Sequence, residues 1–176
     1  MSEPITLYKL IVLYMLEKVD FPLTNAQISE FILDRDYTTF FTLQSVLSEL
    51  TESNMISQET IRNCSYFTIR EAGSEALHYF QNRISKSIRD EIDEYMHENQ
   101  IKLRDEVSII ADYYKNTADE YSVHCVVKEK YSNPIELTIT VPDEAQAKAA
   151  CNQWKDHCQQ IYEFVMRPLL SYSRCF

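Results

Sequence analysis

Glycine is almost absent from this 176-residue chain, in which Gly73 stands alone. The phosphate-binding loops of P-loop and dinucleotide-binding enzymes need several glycines, because their backbone approaches the phosphates closely. Both kinds of nucleotide site are therefore excluded. The chain also has no Gly-x-Ser-x-Gly motif and no ordered Ser/His/Asp signature of a hydrolase. We expect no enzyme activity.

Cysteine pairs with metal-ligand spacing are missing too. The five cysteines are scattered and odd in number, which favours a reducing compartment and buried, small apolar side chains. The pairs His124-Cys125 and His157-Cys158, with Cys151, match no zinc pattern. We expect neither a metal nor another cofactor.

Long apolar runs are absent. No segment approaches the roughly 18–20 residues that cross a bilayer. The first four residues show neither a basic segment nor a signal-peptide cleavage site. These absences predict a cytoplasmic protein that does not associate with membranes.

An excess of positive charge is missing from every part of the chain, whose net charge is −10. Residues 1–80 carry 5 basic and 11 acidic side chains, residues 81–105 carry 5 and 6, and residues 106–176 carry 7 and 10. Contact with nucleic acid would need a locally positive face on this acidic body.

The periodicity of apolar residues predicts three helices in the first part of the chain. The first spans about 5–19, and the second follows Thr24, which forms a predicted capping box with Gln27. The third begins at Thr38 or Thr39 and ends near Ser53. Its predicted buried stripe consists of Leu43, Val46, Leu47 and Leu50.

Two short strands are predicted next, at 55–59 and 64–70, joined by residues 60–63. Gly73 supplies the permissive backbone that we expect in a turn before the next helix. The order helix, helix, helix, strand, strand, helix is typical of a winged helix-turn-helix.

Two amphipathic helices are predicted at about 74–85 and 88–104, with a new cap at Ser87. Their apolar edge favours a homodimer contact. The predicted dimer residues are Leu77, Phe80, Ile84, Ile88, Ile92, Tyr95 and Met96.

Beyond residue 105 the apolar period changes to two, which predicts three antiparallel strands separated by turns. A long helix begins near Pro142 and is expected to cover one side of this meander. The predicted class is α+β, with a winged helix-turn-helix at 1–80, a linker or dimerisation helix at 81–105 and a β-β-β-α domain at 106–176.

Several motifs resemble known proteins. Residues 23–28 (LTNAQI), 41–44 (FTLQ) and 66–73 (YFTIREAG) resemble the winged-helix half of bacterial transcriptional regulators of the multiple-antibiotic-resistance and phenolic-acid classes. When residues 88–93 and 152–155 are also considered, nearly the whole chain resembles an uncharacterised Firmicutes family, a domain of unknown function, more closely than it resembles these regulators. The resemblance implies winged-helix proteins with an added C-terminal α+β part and a regulator-like role.

The outward side of the third helix, with the strand connection, is the predicted contact surface. It comprises Thr38, Thr39, Phe41, Thr42, Gln44, Ser45, Ser48, Arg62 and Asn63. Gln44 can pair with adenine, and Arg62 can contact a phosphate or remain a solvated turn residue. Phe41 either packs on the neighbouring turn or remains exposed for stacking or protein contact.

Two hypotheses follow. The first is a dimeric DNA-binding transcriptional regulator whose C-terminal domain serves as sensor or dimerisation surface. The alternative is a winged-helix module that binds a protein partner and no nucleic acid. The resembling regulators usually carry Lys or Arg on the third helix, where this chain has Gln44, Ser45, Ser48 and Glu49.

Overall fold

A computed structural model describes residues 3–61, 63–129 and 131–171. Over these ranges the chain forms six α-helices and two three-stranded antiparallel sheets, which confirms the α+β class. It divides into two compact units, Met1–Arg104 and Asp105–Phe176. The first unit therefore includes nearly all of the segment predicted as a linker.

The first unit begins with three helices and ends with a hairpin and two further helices. Its elements are α1 (Glu3–Glu17), β1 (Leu23–Thr24), α2 (Asn25–Asp34), α3 (Phe40–Glu52), β2 (Ile56–Ile61), β3 (Cys64–Ile69), α4 (Glu71–Phe80), a 3₁₀ turn (Gln81–Arg83) and most of α5 (Lys86–Ser108). Strand β3 lies between β1 and β2.

The predicted capping box at the start of α2 is present. The Thr24 amide donates to Gln27 Oε1 at 3.0 Å, and the Gln27 amide donates to Thr24 Oγ1 at 3.1 Å. These bonds satisfy amides that have no partner within the helix, so α2 begins at Asn25.

Helix α1 forms the centre of the first core. Its residues 10–16 are all buried. A helix buried on every side must be surrounded by other elements. Helices α3 and α4 and strand β3 pack against it.

Gly73 lies inside α4, and its φ angle is not positive, so the predicted turn at this position is wrong. A Cβ atom at Gly73 would overlap the carbonyl oxygen of Met55 and approach side-chain atoms of Ile69 and Leu13 to 3.0 Å. The glycine is needed because α4 packs closely on the start of β2.

The apolar edge of α4 and α5 is used within the chain. Leu77, Ile84, Ile92 and Met96 are buried in the same core as α1. This burial corrects the dimer prediction for these four side chains, which have no surface left for a second molecule. Phe80 is exposed, while Ile88 and Tyr95 are half-buried, so only these three remain predicted dimer contacts.

Polar contacts also tie α5 to α1. The Tyr14 hydroxyl donates to both carboxylate oxygens of Asp93 at 3.1 and 3.2 Å, and Lys18 pairs with the same carboxylate at 3.0 Å. The cap of α5 is Ser85, whose hydroxyl accepts from the Ile88 amide, and not the predicted Ser87.

A second set of contacts ties α5 to the end of α2. Tyr37 donates to Glu91 at 2.6 Å. The Arg35 guanidinium lies 4.2 Å from the centroid of the Phe31 ring and 3.7 Å from the Glu91 carboxylate. Desolvation, followed by the hydrogen bond to Glu91, raises the pKa of Tyr37 to about 12.

The second unit is the predicted meander with its covering helix. Strands β4 (Ile109–Lys115), β5 (Tyr121–Val127) and β6 (Ile135–Val141) pair in sequence order, and α6 spans Glu144–Leu170. Trp154 of α6 is buried on the sheet and donates through Nε1 to the Val126 carbonyl at 3.3 Å. The other α6 side chains in this core are Ala147, Ala150, Cys151, Cys158 and Ile161.

Replacement of Gly73 by alanine should destabilise the protein, despite alanine's higher helix propensity. The added methyl group overlaps a backbone oxygen that also accepts from the Arg70 amide at 2.9 Å. Overpacking of this kind costs about 1–3 kcal/mol. Urea denaturation of Gly73→Ala measures the loss, with Glu75→Ala at an exposed position of α4 as the control. A Gly73→Ala protein more stable than wild type would contradict the close packing.

The Tyr37 phenol should make stability depend on alkaline pH. Its pKa is raised in the folded state above the ordinary value of about 10. Its contribution is therefore fully present below pH about 10 and is lost as the pH rises through about 12. Urea midpoints across this range should fall more steeply for wild type than for Tyr37→Phe. Tyr79→Phe, at a side chain that is 78% exposed, should follow wild type; equal slopes for all three would refute the contribution.

Candidate macromolecule-binding surface

Helix α3 begins at a threonine cap. The Thr42 amide donates to Thr39 Oγ1 at 3.3 Å, and the two hydroxyl oxygens lie 3.0 Å apart. The predicted contact residues Thr39 and Thr42 are thus engaged in the cap. Thr39 is exposed, whereas Thr38 and Thr42 are half-buried. The cap fixes the direction in which the first turn of α3 points.

The predicted stripe of α3 is buried, which leaves the opposite side free. Ser45 and Ser48 are exposed and donate to the carboxylates one turn later, Glu49 and Glu52, at 3.5 and 3.4 Å. We call Phe41, Ser45, Ser48 and Glu52 the outer α3 face. Its hydrogen-bonding groups are hydroxyls and a carboxylate.

Two phenylalanines lie at the start of this face. Phe41 is 84% exposed and Phe40 is 50% exposed. Their rings meet edge to face, with centroids 6.0 Å apart. Of the two readings of Phe41 from the sequence, the structure supports the exposed ring. Phe40 does not join the buried stripe.

Gln44 does not belong to the outer face. Its amide exchanges two hydrogen bonds with Asn25 of α2: Asn25 Nδ2 donates to Gln44 Oε1 at 2.8 Å, and Gln44 Nε2 donates to Asn25 Oδ1 at 3.0 Å. A bidentate pair with adenine needs the same amide atoms. The amide atoms that the predicted base-reading role of Gln44 would use are thus occupied in this structure by a contact between α2 and α3.

The cations near α3 are already paired. Lys9 of α1 forms an ion pair with Glu49 at 2.6 Å, and this contact lowers the pKa of Glu49. Helix α3 itself contains neither lysine nor arginine. Among the described residues, the outer α3 face thus contributes none of the positive charge with which proteins usually bind phosphates.

The predicted phosphate contact at the hairpin, Arg62, lies outside the described residues. Its neighbour Asn63 is exposed and has a left-handed φ of 63°. Ile61 pairs with Cys64, so the connection between β2 and β3 is shorter than the predicted span of 60–63.

Of the His and Cys residues considered for a metal, Cys125, Cys151 and Cys158 lie in the second core, whereas His124 lies on the other side of the sheet. His124 and Cys125 are adjacent on β5 and so point to opposite sides of the sheet. Cys125 lies in the core, whereas His124 contacts Glu136 at 2.8 Å. Over the ranges that the structure describes, no group of three or more His, Cys, Asp or Glu side chains could hold a metal ion.

The same described ranges contain no helix that is both long and apolar enough to cross a bilayer.

Comparison with known proteins identifies one family. Residues 8–169 match the model of a family described as "Domain of unknown function (DUF4364)". No curated protein and no solved structure matches the chain.

The Asn25–Gln44 pair can be tested by a double-mutant cycle. Asn25→Ala and Gln44→Ala should each lower the free energy of unfolding by about 0.5–1.5 kcal/mol, since each leaves a polar partner unsatisfied. The double variant should lose less free energy of unfolding than the two single variants lose together, because both single substitutions remove the same interaction. Urea denaturation of the four proteins gives the coupling. Strictly additive losses would mean that Gln44 is available to a ligand.

Proposed function

We propose that this chain, which belongs to the DUF4364 family, carries a winged-helix unit that binds a protein partner through helix α3. The observation that carries the proposal is the outer α3 face, which begins with the exposed ring of Phe41 and continues along the helix with two hydroxyls and a carboxylate, without a lysine or arginine. Exposure of such an apolar ring to water is unfavourable in the free chain. Covering the ring with a partner removes this apolar surface from water and so favours binding.

The topology supports the winged-helix assignment. Helices α1, α2 and α3 precede the β2–β3 hairpin, and β1, between α1 and α2, adds the third strand. Helix α3 follows α2 after five residues and packs against it. In helix-turn-helix proteins the second helix of such a pair is the one offered to a macromolecule.

Phe41 has the properties of an anchor residue. Large aromatic side chains dominate many protein interfaces when they enter a pocket on the partner, and smaller polar neighbours then exclude water around them. Ser45 and Ser48 lie along the same side of α3. Glu52 adds a negative charge. The partner expected is a protein with an apolar pocket for Phe41 and donor groups beside it.

The charge of the first unit argues for protein rather than nucleic acid. Residues 1–104 contain 10 basic and 16 acidic side chains, a balance of −6. The described basic groups closest to the α2–α3 pair, Lys9 and Arg35, already contact Glu49 and Glu91. Duplex binding rests largely on cations that neutralise phosphates, and it weakens steeply with salt.

DNA regulation remains the second hypothesis, and the element order favours it. In that case Ser45 and Ser48, which are exposed, would meet base edges, as predicted together with Thr42 and Gln44, while Arg62 and Asn63 would contact the backbone. The cytoplasmic location, the Firmicutes origin and the homodimer also remain predictions.

Replacement of Phe41 should weaken the interaction that we propose. An anchor residue contributes about 2 kcal/mol or more, so Phe41→Ala should weaken the partner complex at least about 30-fold. The measurement is affinity capture from nuclease-treated lysate of the source organism, followed by titration of the recovered protein. Tyr79→Ala removes an equally exposed ring outside the outer α3 face and should bind like wild type. Equal capture by all three proteins would contradict the proposal.

A duplex assay distinguishes the two hypotheses. Fluorescence anisotropy with a genomic fragment library at low salt should show no sequence-selective binding by the wild-type chain. Selective binding that Arg62→Ala weakens, with a salt slope lower by about one phosphate, would establish the DNA hypothesis instead.

A further inference from the structure

Helix α6 is longer than the sheet that it covers. Its 27 residues extend about 40 Å at 1.5 Å per residue. The strands of seven residues beneath it extend about 23 Å. The α6 side chains in the second core end at Ile161. Roughly the last nine residues of α6 therefore have no strand to cover.

The apolar pattern nevertheless continues beyond Ile161. Phe164 is 80% exposed, Leu169 is 71% exposed and Leu170 is 65% exposed, and Val165 is also exposed. Phe164 and Val165 follow Ile161 by three and four residues, which is the spacing of the buried stripe. The sequence thus extends a core-like face to a part of α6 that the described residues leave exposed.

An apolar groove adjoins this face. It has a volume of about 500 Å³ and lies between α6 and the sheet, with Ile139, Ala150, Trp154 and Phe164 among its lining residues. The polar residues that line it are Gln153, His157 and Gln160. Strand β6 is an edge strand, and its Ile139 is exposed beside the groove. We call the groove together with Phe164, Val165 and Leu169 the α6 patch.

We propose that the α6 patch is a homodimer interface, covered by the same patch of a second copy. A twofold interface requires that one surface be complementary to itself. The α6 patch carries both a projecting ring, Phe164, and the groove that receives such a ring. Two copies related by a twofold axis place each Phe164 against the groove of the other.

The area is sufficient for a specific dimer. The exposed apolar side chains of the α6 patch amount to roughly 400 Å² per copy. In ordinary interfaces a polar rim makes up somewhat less than half of the buried area. With such a rim, two copies would bury about 1,200 Å² in total, which is at the lower end of specific interfaces.

The charges around the α6 patch fit a second copy. Glu163 and Arg167 flank Phe164 on α6 and carry opposite charges. An antiparallel pair of α6 helices places Glu163 of one copy next to Arg167 of the other. The groove lining contains no lysine, arginine, aspartate or glutamate, so the repulsion between two acidic chains is not concentrated there.

This dimer differs from the one predicted from residues 77–96, much of which is buried. It also does not depend on the binding of a protein by α3, because the α6 patch and the outer α3 face belong to different units.

Sedimentation equilibrium of the full chain tests the proposal. The wild-type protein should show a monomer–dimer equilibrium with a dimer at high micromolar concentration. Phe164→Glu should weaken dimerisation at least about 100-fold, because each interface loses two anchors and gains two buried charges. Leu169→Glu should act in the same direction.

A matched control places the same charge on the opposite side of α6. Asn152→Glu alters an exposed position and should dimerise like wild type. Thermal unfolding verifies that Phe164→Glu remains folded, as expected for an exposed ring. A wild-type chain that is monomeric at millimolar concentration, or a Phe164→Glu protein that dimerises unchanged, would overturn the proposal.

Discussion

The complete burial of α1 is the constraint on which the first unit depends. Seven consecutive residues of this helix are shielded, so other elements must lie on each of its sides. Helix α3 contributes its apolar stripe to this burial, which leaves the opposite side outward. Helix α5 contributes Ile92 and Met96 together with the Asp93 carboxylate, which accepts from Tyr14. The outward chemistry of α3 is thus a consequence of how α1 is covered.

The outer α3 face is what this packing leaves for function. The polar groups that could read a base are mostly engaged within the chain, Gln44 with Asn25 and Thr42 with Thr39. The ring of Phe41, by contrast, is largely exposed to water. A surface that begins with an exposed apolar ring and continues with neutral and negative groups is better suited to a protein than to a polyanion.

Local patterns in the sequence predict much of the fold. The capping box of Thr24 and Gln27 is present, and it could be predicted because its two residues lie three positions apart. The meander is also present, and it could be predicted because the alternation of apolar and polar residues along a strand is a local pattern. The Asn25–Gln44 pair joins residues 19 apart on different helices, and no local pattern indicates it. The stripe through Ile84 and Ile92 indicates burial, but periodicity cannot tell a neighbour in the same chain from a second molecule. The single glycine, Gly73, likewise indicates a position that tolerates no side chain. Only the packing shows the reason, which is the close approach of α4 to the backbone of Met55.

Photo-crosslinking from position 45, the middle of the outer α3 face, tests the central claim most directly. A photoreactive amino acid placed there in the full chain, in cells of the source organism, should form covalent products with a polypeptide, identified by mass spectrometry. The same group at position 79 should not form those products. Crosslinking from position 45 to DNA, or to the same products as from position 79, would contradict the account.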